Sequence, residues 1–137
     1  MLFRSTLFQR DLAISLLATG EYRHGEGQAA QAAEAYHKAL LILERLPVVP
    51  AIDHINLAVI HAGLAGVAAR PESGISAAEG RAEADRAMAS LRKAVDGGYR
   101  PPLAMIRSDN TFNSLRPRTD FQLLMMDLAM PEKPFAQ

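Results

Sequence analysis

The sequence contains no cysteine and no tryptophan, and its aromatic residues are limited to three Tyr and five Phe. The absence of cysteine excludes disulfide bonds, catalysis by a thiolate and every zinc site that needs sulfur ligands. A chain that needs no disulfides fits a reducing compartment. We therefore expect a cytoplasmic location.

An excess of charge of either sign is also missing, because 15 basic residues balance 15 acidic ones. This balance does not favour a nucleic-acid or an anionic-membrane partner. The first residues carry Arg4, Arg10 and Asp11 where a signal peptide needs an apolar stretch. No apolar run reaches the roughly 18 residues of a membrane span. We expect neither nucleic-acid nor membrane binding.

Hydrophobic residues make up 49% of the 137 residues, which is enough for the core of one domain. Helix-forming runs, interrupted by Pro and Gly, predict four long helices and three short ones. Their approximate ranges are 3–19, 28–45, 53–70, 76–96, 102–107, 109–115 and 119–129. No segment alternates with period two for long enough to form a strand. The predicted fold class is all-α.

Several residues are of the type that begins or ends a helix. Gly20 is expected to end the first helix, and Asp53 to cap the third by accepting backbone amide hydrogens. Ser76 and Glu79 have the spacing of a capping box. Asp109 and Thr119 are candidate caps of the short helices.

The second and fourth helices repeat the same pattern at a constant offset of 55 residues. A small residue, a large one four positions on and another small one three positions further share one helix face, where the small residues let a second helix approach closely. The corresponding sets are Ala32, Tyr36, Ala39 and Leu40, and Ala87, Leu91, Ala94 and Val95. A repeated helical hairpin follows from this correspondence.

The first and third helices correspond at an offset of 43, which places Leu16, Leu17 and Gly20 on Val59, Ile60 and Gly63. The difference between the two offsets means that the second hairpin carries about 12 additional residues between its helices. The composition of residues 70–80 is typical of turns. We predict an extended loop or a lengthened helix there.

Gly20, Gly27, Ala32, Tyr36 and Ala39 resemble the tetratricopeptide repeat, a helix-turn-helix unit of about 34 residues. Thr19, Arg23 and Glu44 depart from that pattern. The resemblance implies one domain, 1–137, forming a short α-solenoid: one hairpin at 1–46, a second with an insertion at 51–98, and short capping helices with a tail at 99–137. An unrelated four-helix bundle is the alternative. The residues expected to pack the repeats are Gly20, Ala32, Tyr36, Ala39, Gly63, Ala87, Leu91 and Ala94.

Apolar residues in the last part of the chain recur at steps of three and four, so short helices there can cover the open end of the second hairpin. They are Phe112, Leu115, Phe121, Leu124, Met125 and Leu128. The stretch also resembles the tail that follows tetratricopeptide repeats in bacterial multidomain serine/threonine protein kinases. That resemblance implies an accessory role beside a kinase domain. Kinase chemistry does not transfer, because the sequence has no His-Arg-Asp and no Asp-Phe-Gly motif.

Of the four histidines, His54 and His61 lie seven residues apart on one face of the third predicted helix. Neither has an Asp or Glu three or four positions on that would complete a helical metal site. The serines lie outside any nucleophile-elbow motif. We expect no metal, no cofactor and no catalytic residue, and the chain is not predicted to be an enzyme.

The predicted function is protein–protein interaction through the concave surface that the first helix of each hairpin lines. Residues near faces not used for repeat packing are the expected groove: Arg10, Ser15, Asn56, Val59 and His61. The expected partner is a protein or peptide, a kinase domain among the candidates. Self-association into a homodimer is the alternative, since two hairpins are close to the minimum for a stable array.

Overall fold

A computed structural model describes residues 2–47, 51–100, 102–108 and 110–130. These residues form helices joined by turns and contain no strand, which confirms the all-α prediction. The helices are α1 (Leu2–Gly25), α2 (Ala29–Glu44), α3 (Ala51–Val67), α4 (Ala77–Asp96), α5 (Leu103–Ser108) and α6 (Thr119–Ala129). Single turns of 3-10 helix occupy Pro71–Ser73 and Asn110–Phe112.

The first helix is longer than its sequence indicated, because Gly20 does not end it. α1 continues to Gly25, and the chain reverses at Gly27, whose φ of 76° is accessible to glycine at little cost. The amide of Gln28 then donates to the carbonyl of Arg23 at 2.8 Å. Gly20 is instead a position of close helix contact, and α1 packs along α2.

The ring of Tyr36 on α2 fills the space between α1 and α3. A β-carbon added to Gly20 of α1 would lie 2.7 Å from Cδ1 of this ring. One added to Gly63 of α3 would lie 2.7 Å from its Cε2. The side chain of Tyr36 is fully buried, as are the other large and small residues of the repeated pattern: Ala32, Ala39, Ala87, Leu91 and Ala94.

The start of α3 differs from the prediction, because Asp53 is not its N-cap. The helix begins at Ala51, and Asp53 is 1% exposed within its first turn. Its carboxylate accepts a hydrogen bond from Nε of Arg10 at 3.0 Å and forms an ion pair with Nη2 of Arg10 at 2.9 Å. This interaction joins α3 to α1. An ion pair between helices has replaced the expected local capping bond.

The connection between α3 and α4 is an extended loop, one of the two forms predicted for residues 70–80, and it spans 68–76. Turns at 68–70 and the 3-10 turn lead to an irregular stretch at 74–76. The N-cap at Ser76 is confirmed, since its Oγ accepts from the amide of Glu79 at 3.1 Å. The Glu79 carboxylate accepts from the Ser76 hydroxyl at 3.1 Å and not from the Ser76 backbone amide, so the capping box is only half formed. α4 then continues to Asp96 and packs lengthwise against α3.

The C-terminal segment lies against the α3–α4 pair. Of its predicted helices, 119–129 is confirmed, and 102–107 is found one residue later. The range 109–115 was too long, because among its described residues only Asn110–Phe112 is helical, and tight turns continue to 117. Asp109 lies outside the described residues. Thr119 does not cap α6 but is its first residue, since Arg118 occupies the extended N-cap position.

Two apolar clusters meet at α3. The first joins α1, α2 and α3, and the second joins α3 and α4 to the C-terminal segment, with Val59 packed against both. In the second cluster the rings of Phe112 and Phe121 stack with centroids 6.3 Å apart. Arg118 also holds α6 to α4 through Asp85 at 2.8 Å and binds Asp120 at 2.9 Å. α3 is therefore the central helix.

Candidate functional site

A cleft of about 830 Å³ lies between the second halves of α1 and α3 and the turn at 110–114. We refer to it as the central cleft. It opens to solvent beside Asn110 and Asn113, both exposed. Its lining combines one carboxylate, an imidazole, amides and hydroxyls with small residues: Glu21, His24, Gly25, Tyr36, Ala65, Gly66, Ala69, Asn110, Thr111, Asn113 and Ser114.

Hydrogen bonds fix the wall that the C-terminal turn forms. Oγ of Ser114 donates to the carbonyl of Ala62 on α3 at 2.9 Å. Across the cleft, Oγ1 of Thr111 donates to Oε2 of Glu21 on α1 at 3.3 Å. The turn thus contacts both long helices, and its amide side chains are held at the rim of the cleft.

Small residues on α3 form the floor of the central cleft and leave room for His24. A β-carbon on Gly66 would lie 2.9 Å from Cε1 of the His24 ring, so any larger residue displaces the imidazole. Beyond this ring a smaller cavity of about 170 Å³ reaches Arg70. Ala65 and Ala69 also border a cavity of about 310 Å³ on the α4 side of α3. The end of α3 is therefore surrounded by accessible space.

His24 is half-buried, and its surroundings oppose protonation. Burial lowers the pKa of its imidazole below the usual value, and the positive charge of Arg70 lowers it further. The neutral ring is therefore favoured at neutral pH. It can donate one hydrogen bond and accept another in the cleft.

This lowered pKa predicts a loss of stability on acidification. Below about pH 6.5 the unfolded chain binds a proton at His24 more readily than the folded chain, so stability falls as the pH falls. Urea unfolding of the parent and of His24→Gln, measured from about pH 7.5 to about pH 5.5, separates this contribution from the other histidines. We expect a shallower decline in the variant. Parallel curves for the two proteins would contradict the assignment.

The five residues predicted as a groove lie on different surfaces. Arg10 binds Asp53, and Ser15 is exposed on the outer side of α1. Asn56 and Val59 are partly buried on α3. His61 is buried and is separated from Val59 by about 160° around α3, at 100° per residue. The structure does not gather these residues into one surface.

The partner of His61 comes from another helix. Its Nδ1 lies 2.5 Å from Oε2 of Glu83 on α4, and Glu83 also binds Arg86 at 3.0 Å. Burial raises the pKa of Glu83, but the hydrogen bond from His61 and the charges of His61, Arg86 and His37 outweigh it, so the pKa lies below its usual value. A search for partners along one helix misses this pair, because its residues are 22 positions apart.

In the described part of the chain, no group of three or more His, Cys, Asp or Glu side chains is arranged to hold a metal ion. The same residues include no helix both long and apolar enough to cross a membrane. The cleft residues Glu21, His24, Asn110 and Asn113 were not predicted. The available signal was the set of small residues Ala65, Gly66 and Ala69, which leaves one side of the end of α3 and the turn after it without large side chains.

No family model, no curated protein and no solved structure matches this chain. The tetratricopeptide resemblance therefore stays a prediction.

Proposed function

We propose that this chain is a non-catalytic protein-interaction module of the tetratricopeptide type, which holds an extended segment of a protein partner in the central cleft. The observation that carries the proposal is the position of the cleft. Its long walls come from α1 and α3, the first helices of the two predicted hairpins, which line the concave surface in such arrays.

The packing of Tyr36 supports the repeat assignment. A large residue of one hairpin enters the space left by glycines on the first helices of both hairpins, Gly20 and Gly63. This contact sets the distance between successive hairpins, as the small-large-small pattern requires. A four-helix bundle with coincidental spacing has no need for paired glycines around one ring.

The chemistry of the cleft suits a polypeptide backbone. The amide side chain of Asn110 can both donate and accept, which matches the alternating groups of an extended main chain. The amide oxygen of Asn113 already accepts from Nε of Arg116 at 2.9 Å, so this side chain contributes mainly its donor group. The floor of Ala65, Gly66 and Ala69 leaves space for the side chains of a bound segment. The carboxylate of Glu21 favours a segment that carries a positive charge.

A kinase domain is the partner class to which the tail resemblance leads. Leu115 and Phe121, which belong to the segment that resembles the kinase tail, are buried in the second apolar cluster and therefore stabilise the fold. Their role is to close the array, which leaves the cleft for recognition. A cytoplasmic protein that recruits a kinase or its substrates fits this arrangement and the cysteine-free composition.

The proposal predicts that the chain selects peptides and that the cleft binds them. Short random peptides displayed on phage are panned against the whole chain, and the affinity of an enriched peptide is measured by calorimetry. We expect the double variant Glu21→Gln with Asn110→Ala to weaken binding roughly tenfold or more, because two polar contacts at the cleft are lost.

The matched control is Glu34→Gln with Gln31→Ala, which makes the same kinds of change on the exposed surface of α2. It should bind as the parent does. Circular dichroism shows that each variant keeps its helices. Enriched peptides that bind all three proteins equally, or a failure to enrich any sequence, would reject the cleft as a peptide site.

A further inference from the structure

A second cavity continues the central cleft around the end of α3. It has a volume of about 310 Å³ and lies between α3, the start of α4 and Ser114. The two cavities share Ala65, Ala69 and Ser114, so a segment that lies in the cleft can extend into the second cavity. We call this second cavity the alanine notch, after its apolar lining residues: Ala65, Ala68, Ala69, Ala77, Gly80 and Ala84.

The alanine notch is an apolar wall that faces water. α3 and α4 approach most closely at Gly80, where an added β-carbon would lie 2.6 Å from Cβ of Ala68. Beside this contact Ala69 and Ala77 are exposed, and Ala65 is partly exposed. Their methyl groups are too short to fill the space between the helices. A large apolar side chain that enters the notch is therefore removed from water, which favours binding.

Arg81 is the charged residue of the alanine notch, and its side chain is exposed on α4. The carboxylate that a helix places beside it, that of Asp85 four positions on, is bound by Arg118 at 2.8 Å. In the part of the chain that the structure describes, no carboxylate forms an ion pair with Arg81. Its guanidinium is available to bind an acidic group through two parallel hydrogen bonds.

The other end of this continuous groove carries the opposite charge. The carboxylate of Glu21 lines the cleft on α1, where the hydroxyl of Thr111 donates to it at 3.3 Å. α1 and α4 both pack against α3, and packed helices lie about 8–10 Å apart, so these two helices are separated by at most about 20 Å. An extended segment of about six residues covers that distance at about 3.3 Å per residue.

We propose that the segment held by this chain is bipolar, with a basic side chain at Glu21, a large apolar side chain in the alanine notch and an acidic side chain at Arg81. The inference rests on the proposed function, because it assigns the chemistry of the same partner. Opposite charges at the two ends of the groove also fix the direction of the segment, since the reverse direction brings like charges together.

Selection of peptides tests the predicted order of charges. Short random peptides displayed on phage are panned in parallel against the whole chain and against Arg81→Glu. From the parent we expect sequences in which a basic, a large apolar and an acidic residue occur within about six positions. From Arg81→Glu we expect a basic residue in place of the acidic one, because the charge at that end of the groove is reversed.

Calorimetry with a peptide enriched on the parent tests the two contacts separately. Arg81→Gln should weaken binding roughly fivefold or more, and exchanging the peptide's acidic residue for its amide should have little further effect on that variant. Ala77→Leu, which fills the notch, should weaken binding roughly tenfold or more. The matched controls Arg92→Gln and Ala78→Leu make the same changes at exposed positions of α4 outside the notch and should bind as the parent does. Circular dichroism shows that each variant keeps its helices.

The outcomes separate this inference from the proposed function. Peptides that lose affinity for Glu21→Gln with Asn110→Ala, but not for Ala77→Leu or Arg81→Gln, would overturn the bipolar segment and leave the cleft as a peptide site. Enriched sequences without an acidic residue would also overturn it. A failure to enrich any peptide would reject the proposed function, and the bipolar segment with it.

Discussion

Gly63→Ala is expected to lower the free energy of unfolding by about 2 kcal/mol, although alanine is the better helix former. The added β-carbon would lie 2.7 Å from Cε2 of the Tyr36 ring, which is closer than carbon atoms approach in proteins. Tyr36 is 0% exposed and has Gly20 on its other side, so a shift of the ring directly away from Gly63 brings it against α1. The strain outweighs the gain in helix propensity.

Urea denaturation measures this effect, and two further variants identify its cause. Gly25→Ala makes the same change at the last residue of α1, where an added β-carbon meets nothing within 4 Å, and should alter stability by less than about 0.5 kcal/mol. In a Tyr36→Leu background the ring atoms that clash are absent, so Gly63→Ala should cost less there. Equal costs in both backgrounds would show that the ring is not responsible.

Arg10→Ala is expected to have the larger effect, a loss of about 3 kcal/mol. It removes the guanidinium that binds Asp53 through two nitrogens, at 3.0 and 2.9 Å. The carboxylate of Asp53 is then left 1% exposed without its cation, in the first turn of α3. An uncompensated buried charge is destabilising because the protein interior cannot replace the lost hydration.

Lys38→Ala is the control for this prediction, since it breaks an exposed ion pair with Glu34 that is 3.0 Å long and should contribute less than about 0.5 kcal/mol. The double variant Arg10→Met with Asp53→Leu removes both charges together and should recover much of the loss. If Arg10→Ala were no more destabilising than Lys38→Ala, Asp53 would have to be solvated in the folded protein.

The local features that could be predicted from the sequence were those governed by neighbouring residues. The N-cap at Ser76, the bounds of α6 and the irregular connection after α3 depend on contacts within a few positions. The C-terminal turn was predicted as a longer helix. Its carbonyl and side-chain bonds to α3 and α5, such as Ser114 to Ala62, compete with helical hydrogen bonds and are not visible in local spacing.

The candidate site was harder to predict because its residues have no common motif. Glu21 and His24 belong to a stretch that Gly20 was expected to exclude from α1. Asn110 and Asn113 reach the cleft only because the turn is held against α3. The pairs that Arg10 and His61 form with Asp53 and Glu83 on other helices could not be predicted for a related reason, since no local spacing indicates them.

By itself the sequence determined that the chain is helical and where most of its helices lie, because proline, glycine and caps act within one turn of the backbone. It also determined which residues are small enough for close contact. Only the tertiary structure decided what those small residues contact, and which charges are paired across helices. The reason is geometric, since a glycine such as Gly63 can serve a turn, a helix contact or a cleft floor, and the choice depends on neighbours distant along the chain.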